Sequence, residues 1–165
     1  MSDSDPSMLP PGLRTQAYAL IDLLLTLVEL AREHTELDTD AMLIRMVIAE
    51  ATMHPLVVSQ RTRSEIMDWP ELPESVRGSI SRVLIAERAN LPRETVRRKV
   101  NALIKEGMVE EAGHGKVRGN HLLAGPLAQD RVAAGVAAVK KCLAMIEASN
   151  QPSASQQTAS RRVTG

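Results

Sequence analysis

Aromatic residues are nearly absent from this chain of 165 residues, which has no Phe, one Tyr and one Trp. Hydrophobic residues nevertheless make up 44% of the sequence, so a core must be built from Leu, Ile, Val, Ala and Met. Aliphatic cores of this kind favour packed helices over a β-sandwich, in which aromatic and β-branched residues are enriched.

Cysteine and long apolar runs are also scarce. The single cysteine, Cys142, excludes an internal disulfide and indicates a reducing compartment. The most apolar run, Ala17–Ala31, contains Asp22 and Glu29 and is shorter than the ~20 residues that span a bilayer. The first twelve residues lack the basic start of a secretory signal. We therefore expect a cytoplasmic protein without a membrane partner.

Signatures of catalysis and metal binding are missing too. The four histidines have neither metal-ligand spacing nor cysteine neighbours, and neither a nucleophile elbow nor a glycine-rich phosphate loop occurs. The sequence predicts no catalytic residue, no metal and no cofactor, and hence a protein that is not an enzyme.

The net charge is zero, but it is unevenly distributed. Residues 1–73 hold five Lys/Arg against twelve Asp/Glu, a net of −7. Residues 74–121 hold ten against six, a net of +4, and residues 122–165 a net of +3. A basic centre is suited to tracking phosphates, although an excess of four over this length also fits ordinary scatter.

Hydrophobic periodicity and turn residues divide the chain into five parts. We predict a disordered tail over 1–12, a helical region over 13–73 that supports the core or dimerises, and a disordered tail over 149–165. Residues 74–124 are predicted to form a winged helix-turn-helix, and 125–148 a dimerisation helix. The predicted helices span 13–34, 41–53, 56–67, 82–89, 92–106 and 127–148. Pro55 is predicted to mark either the end of the second helix or a kink in it.

The segment from Ser81 to Gly107 satisfies the local demands of a helix-turn-helix. Ser81 is a suitable N-cap, and Asn90 tolerates the positive φ of a tight turn. Pro92 fits the first position of the next helix, and Gly107 can end it. Val96, Val100, Leu103 and Ile104 are spaced to pack inward. The opposite face carries Arg93, Glu94, Arg97, Arg98, Asn101 and Lys105.

Residues 92–98, Pro-Arg-Glu-Thr-Val-Arg-Arg, resemble the recognition helix of the Crp/FNR family of winged-helix regulators, whose core reads Ser-Arg-Glu-Thr-Val-Gly-Arg. The resemblance implies base readout by Arg93, Glu94 and Arg98, with Thr95 near a phosphate. The family's Ser is Pro92 here, which removes a hydroxyl contact, and its Gly is Arg97, which adds a cation within reach of a phosphate. The family's cyclic-nucleotide β-roll is absent, because the upstream chain is short and helical in pattern.

A glycine-tipped hairpin is predicted after Gly107, with His114 at its solvated tip. Its basic residues Lys116 and Arg118 are predicted to contact the DNA backbone, or alternatively to be solvated. The fold class is thus mainly α, a winged helix-turn-helix with a small hairpin wing and flanking helices. The full set of predicted backbone contacts is Ser81, Thr95, Arg97, Lys99, Asn101, Lys116 and Arg118.

An apolar seam on the last helix steps by four and three residues, the spacing of a contact with one neighbouring helix. Together with the surplus apolar surface of the first helix it predicts a homodimer. The layout resembles MarR-type regulators, whose terminal helices pair two subunits. The predicted interface comprises Leu24, Val28, Val132, Val136, Val139, Leu143 and Ile146.

These features predict a sequence-specific double-stranded DNA-binding transcriptional regulator of bacterial type. Arginine can bond two acceptors on guanine, and glutamate can accept from cytosine. The alternative is a protein-interaction module that uses the same fold as a docking surface, which the zero net charge favours. The residues identify neither a small-molecule effector nor the DNA sequence bound.

Overall fold

A computed structural model describes residues 9–33, 36–58, 72–120 and 126–150. The described chain is mainly helical with a small three-stranded antiparallel sheet, which confirms the predicted mainly α class. It divides into a terminal unit, drawn from Met1–Leu30 and Arg131–Gly165, and a central unit, Ala31–Asp130. The helices are α1 (Leu13–Arg32), α2 (Thr39–Val58), α3 (Arg82–Ala89), α4 (Arg93–Lys105) and α5 (Pro126–Asn150), and the strands are β1 (Ile80–Ser81), β2 (Val109–Glu111) and β3 (Lys116–Gly119).

The terminal unit pairs α1 with α5 in antiparallel orientation. Gln16 donates a hydrogen bond to Asn150 at 2.9 Å, and Lys141 forms an ion pair with Asp22 at 2.8 Å. Among the described residues of this unit, only Ala19 and Cys142 are buried. Ser149 and Asn150 are still helical, so the predicted tail begins too early by two residues. Residues 151–165 lie outside the described chain, as do 1–8 of the other predicted tail.

Helix α2 continues through Pro55 to Val58, so the predicted bound at Met53 is too early and Pro55 does not end the helix. Proline lacks the N–H that would bond to the carbonyl of Ala51. Gly78 packs against this carbonyl, and its own N–H donates to the carbonyl of Thr52 at 2.9 Å. Leu56 is buried beyond the proline and favours continuation of the helix. Residues 56–58 of the predicted helix 56–67 therefore belong to α2, and the rest lie outside the described residues.

Helix α2 is long and apolar enough to cross a membrane by length and composition alone. Core helices pass the same test, and one face of α2 packs into the centre of its unit. Its buried residues are Ala41, Ile44, Val47, Ile48, Thr52 and Leu56.

Helices α3 and α4 are joined by the predicted tight turn. Ser81 caps α3 by accepting a hydrogen bond from the N–H of Leu84, and Asn90 adopts the left-handed conformation with φ 52°. Helix α4 begins at Arg93, so Pro92 is its N-cap rather than its first residue. Gly107, at φ 70°, follows the helix as predicted.

Strand β3 is the central strand of the sheet and pairs antiparallel with both β1 and β2. The β2–β3 hairpin turns through Gly113, His114 and Gly115, all with positive φ. Val117 of β3 faces the core, which unites the sheet with α2, α3 and α4. Burial of each large aliphatic side chain there contributes about 1.5–3 kcal/mol. The largest fully buried side chains are Ile44, Ile48, Ile85, Leu103, Val96, Val100 and Val117.

Candidate nucleic-acid interface

Helix α4 has an apolar face and a polar face, as predicted. Val96, Val100 and Leu103 are buried against the core, whereas Ile104 is only partly covered. We call the opposite side the exposed face of α4. It comprises the exposed residues Arg93, Glu94, Arg97, Arg98, Asn101 and Lys105.

The turn before α4 fixes the direction in which the helix leaves α3. The N–H of Leu91 donates to the carbonyl of Ala86 at 3.0 Å, and Ala86 is buried between the two helices. A small residue at this position permits the close approach of α3 and α4. The packing of α4 against α3 and the core thus fixes the orientation of its exposed face.

Glu94 and Arg97 form a bidentate ion pair on the exposed face of α4. The Nε of Arg97 donates to one carboxylate oxygen at 2.9 Å, and its Nη2 donates to the other at 2.6 Å. The hydrogen bond from Arg97 lowers the pKa of Glu94, and the same bond raises the pKa of Arg97. Both side chains remain mostly exposed, so the pair contributes little to stability.

Arg93, Arg98 and Lys105 form no ion pair within the described part of the chain. Each therefore presents an exposed positive charge to solvent. Thr95 on the same helix is partly exposed, as is Ser81, whose hydroxyl already serves as the cap of α3.

Lys99 is held away from the exposed face of α4. Its ammonium group forms an ion pair with Asp38, and its side chain is only 17% exposed. Asp38 also accepts from the N–H of Ala41 at the start of α2. The hydrogen bond from Lys99, followed by that from Ala41, lowers the pKa of Asp38. Lys99 thus joins α4 to α2, which argues against its predicted contact with a phosphate.

Arg118 is buried, contrary to the prediction of a side chain free to contact DNA. Its guanidinium group pairs with Glu74 and with Glu110, each at 2.7 Å. Arg77 pairs with the same Glu110 at 3.0 Å. Two carboxylates and two guanidinium groups therefore satisfy one another at the base of the hairpin. Lys116 remains exposed on the hairpin.

Arg77 and Arg82 are structural residues that the sequence interpretation missed. Arg77 donates to the carbonyl of Gly119, and Arg82 pairs with Glu111 at 2.6 Å while also donating to the carbonyl of Gly115. Their partners lie 29 to 42 residues away in the sequence, so no local pattern identifies these contacts.

The residues of the predicted dimer interface lie on α1 and α5 of the terminal unit. Leu24, Val28, Val132, Val136, Val139 and Leu143 are 42% to 62% exposed in the single chain, and Ile146 is half-buried. About half of the surface of these apolar side chains is therefore in contact with solvent in the single chain.

Within the described residues, no group of three or more His, Cys, Asp or Glu side chains could hold a metal ion. No protein-family model, no curated protein and no solved structure matches the chain.

Proposed function

We propose that this protein is a sequence-specific regulator of transcription that binds double-stranded DNA through a winged helix-turn-helix. In this proposal α3 and α4 are the helix pair, α4 enters the major groove, and the β2–β3 hairpin is the wing. The observation that carries the proposal is the amphipathic packing of α4, whose buried valines and leucine leave Arg93 and Arg98 exposed and without an ion pair in the described chain. The resemblance of residues 92–98 to the Crp/FNR recognition helix adds support.

Arg93, Glu94 and Arg98 are the proposed base-reading residues, because guanidinium groups recognise guanine and carboxylates recognise cytosine. Lys116 is the proposed cation of the wing, and Thr95, Asn101 and Ser81 are the proposed neutral donors to the DNA backbone. The ion pairs of Arg118 and Lys99 with internal carboxylates remove both residues from the proposed contacts.

The proposed assembly is a homodimer formed through α1 and α5. A layer of two helices buries too little apolar surface to form a core, and a second copy supplies the missing layer. Closed two-fold dimers are the commonest homo-oligomers. Two copies of α4 would then meet successive major grooves about 34 Å apart and select a near-palindromic site.

Selection of bound duplexes from a random pool, followed by sequencing, tests this function. A near-palindromic consensus with half-sites one helical turn apart is the expected result. The same selection with Arg98→Ala should lose part of the consensus, whereas Lys140→Ala, which removes an exposed cation from α5, should preserve it. Recovery of no consensus by the native protein would contradict the proposal.

A protein-interaction module remains the second candidate. The internal pairing of Arg77, Arg82 and Arg118 favours it, because these cations are unavailable to phosphates. Salt distinguishes the two functions. Duplex affinity that falls steeply between low and moderate salt supports DNA binding, whereas no duplex binding at low salt supports the interaction module.

A further inference from the structure

We propose that Arg97 is a positioning residue for base recognition, which holds the carboxylate of Glu94 in the orientation that selects cytosine. This inference rests on the proposed DNA-binding function and refines it. In the sequence interpretation Arg97 was expected to contact a phosphate. The bidentate pair with Glu94 points instead to a role in orienting the carboxylate of Glu94.

The contacts of the pair fix the plane of the Glu94 carboxylate. Arg97 engages both carboxylate oxygens, at 2.9 Å and 2.6 Å, from one turn further along α4. Each oxygen has two lone-pair directions, so each retains one for a further donor. The exocyclic amino group of cytosine is the donor that a carboxylate recognises in the major groove.

Arg97 also changes the net charge that Glu94 brings to the groove. A lone carboxylate that enters a groove between two rows of phosphates meets repulsion and loses water. Arg97 neutralises Glu94 while leaving it able to accept a hydrogen bond. Arg97 would therefore affect the choice of base, and it would do so only while Glu94 is present.

The test measures affinities for the selected duplex and for a duplex in which the cytosine read by Glu94 is replaced by thymine. That position is found as the one whose preference is lost in Glu94→Gln. We expect Arg97→Gln to reduce the discrimination between the two duplexes by at least about fivefold, and the double variant to reduce it no further than Glu94→Gln alone. In the free protein, Arg97→Gln should raise the pKa of Glu94 toward its ordinary value.

Two further variants sharpen the result. Arg97→Lys keeps the charge but not the two parallel hydrogen bonds, so it should retain affinity and lose discrimination. Arg88→Gln is the matched control, because Arg88 forms a comparable exposed pair with Glu50 at 2.6 Å, outside α4. It should leave discrimination unchanged.

Equal weakening of both duplexes by Arg97→Gln, with discrimination intact, would identify a phosphate contact and overturn the inference while preserving the proposed function. Full discrimination in Arg97→Lys would also overturn it, since charge alone would then suffice. Binding of all duplexes alike by the native protein would overturn both proposals.

Discussion

The hydroxyl of Thr52 on α2 accepts a hydrogen bond from the backbone N–H of Gly119 on β3 at 2.8 Å. The same hydroxyl donates to the carbonyl of Ile48, and the carbonyl of Thr52 accepts from the N–H of Gly78. Thr52 therefore satisfies two amides that lie outside helix α2, one at the end of β3 and one just before β1. One buried side chain joins the sheet to the core helix.

Replacement of Thr52 by Val should lower the free energy of unfolding by about 1–3 kcal/mol, because the N–H of Gly119 loses its partner inside the protein. Urea unfolding measures the change. Thr26→Val is the matched control, since the hydroxyl of Thr26 donates only to the carbonyl of Asp22 within its own helix. Equal losses in both variants would contradict the assigned role of Thr52.

Substitution of Gly78 by Ala should also destabilise the protein. A Cβ at this position would lie 2.1 Å from the carbonyl oxygen of Ala51 and 2.9 Å from a ring carbon of Pro55, so the backbone must move. The expected loss is about 1–3 kcal/mol, as for overpacked cores. Gly135→Ala should have the opposite effect, because α5 has room for a Cβ and alanine favours helix by up to about 1 kcal/mol. Thermal unfolding of the two variants shows whether each substitution lowers or raises the stability of the protein.

Acid should weaken the ion-pair cluster at the base of the hairpin. Burial raises the pKa of Glu110, but the hydrogen bonds and charges of Arg118 and Arg77 outweigh this effect and lower the pKa overall. A folded-state pKa below the unfolded value means that the stabilisation is complete above the unfolded pKa and is lost as pH falls through the folded one. Below about pH 4.5, near the unfolded value, the stability difference between the native protein and Glu110→Gln should therefore shrink.

Urea unfolding at neutral pH and at several acidic pH values measures that difference. Glu87→Gln, an exposed change on α3, is expected to alter stability little throughout. A difference between native protein and Glu110→Gln that stays constant down to pH 3 would refute the expectation.

The exposed face of α4 and the hairpin should affect DNA binding in different ways. Arg98→Ala should weaken the selected duplex by about 1–3 kcal/mol and relax its base preference. Lys116→Ala should weaken all duplexes alike and reduce the salt slope by about 1, if the proposed phosphate contact of Lys116 forms. Fluorescence anisotropy at several salt concentrations separates the two effects. Identical behaviour of the two variants would contradict the assigned roles.

The apolar residues of α5 should control the oligomeric state. Sedimentation of the native protein should give a dimer, and the double variant Val136→Glu, Leu143→Glu should give a monomer, because charge cannot be buried unpaired in a helix interface. Lys140→Glu changes an exposed position of the same helix and should remain dimeric. If the native protein is a monomer at micromolar concentration, the proposed two-fold homodimer is wrong.

The sequence predicted local geometry well where a residue type itself imposes the conformation. Asn90 adopts the expected positive φ, and Gly107 and the hairpin glycines, at the predicted helix end and hairpin tip, also have positive φ, which few other residues tolerate. The predicted bound of α2 at Met53 was too early because a local rule for proline takes no account of tertiary packing, such as the burial of Leu56 and the hydrogen bond from Gly78 to Thr52.

Side-chain availability was less predictable than backbone geometry. Lys99 and Arg118 are polar residues in a basic segment, and their spacing alone suggests exposure. Asp38, the partner of Lys99, and Glu74, one partner of Arg118, come from distant parts of the chain, so only the folded arrangement brings these charges together. Glu110, the second partner of Arg118, lies opposite it in the hairpin and depends on the register of the two strands. The exposed face of α4 was predictable because the buried residues on the same helix define it by periodicity.

The internal ion pairs reduce the number of basic residues that can release counterions from DNA, so this number is smaller than the composition suggests. Of the ten Lys and Arg residues between positions 74 and 121, six are held by the chain's own carboxylates, which leaves four, at 93, 98, 105 and 116. Four neutralised phosphates per subunit correspond to a logarithmic salt slope of about −3.6 per subunit, less than half the value that ten would give. The affinity for DNA would accordingly fall less steeply with added salt than the number of basic residues suggests.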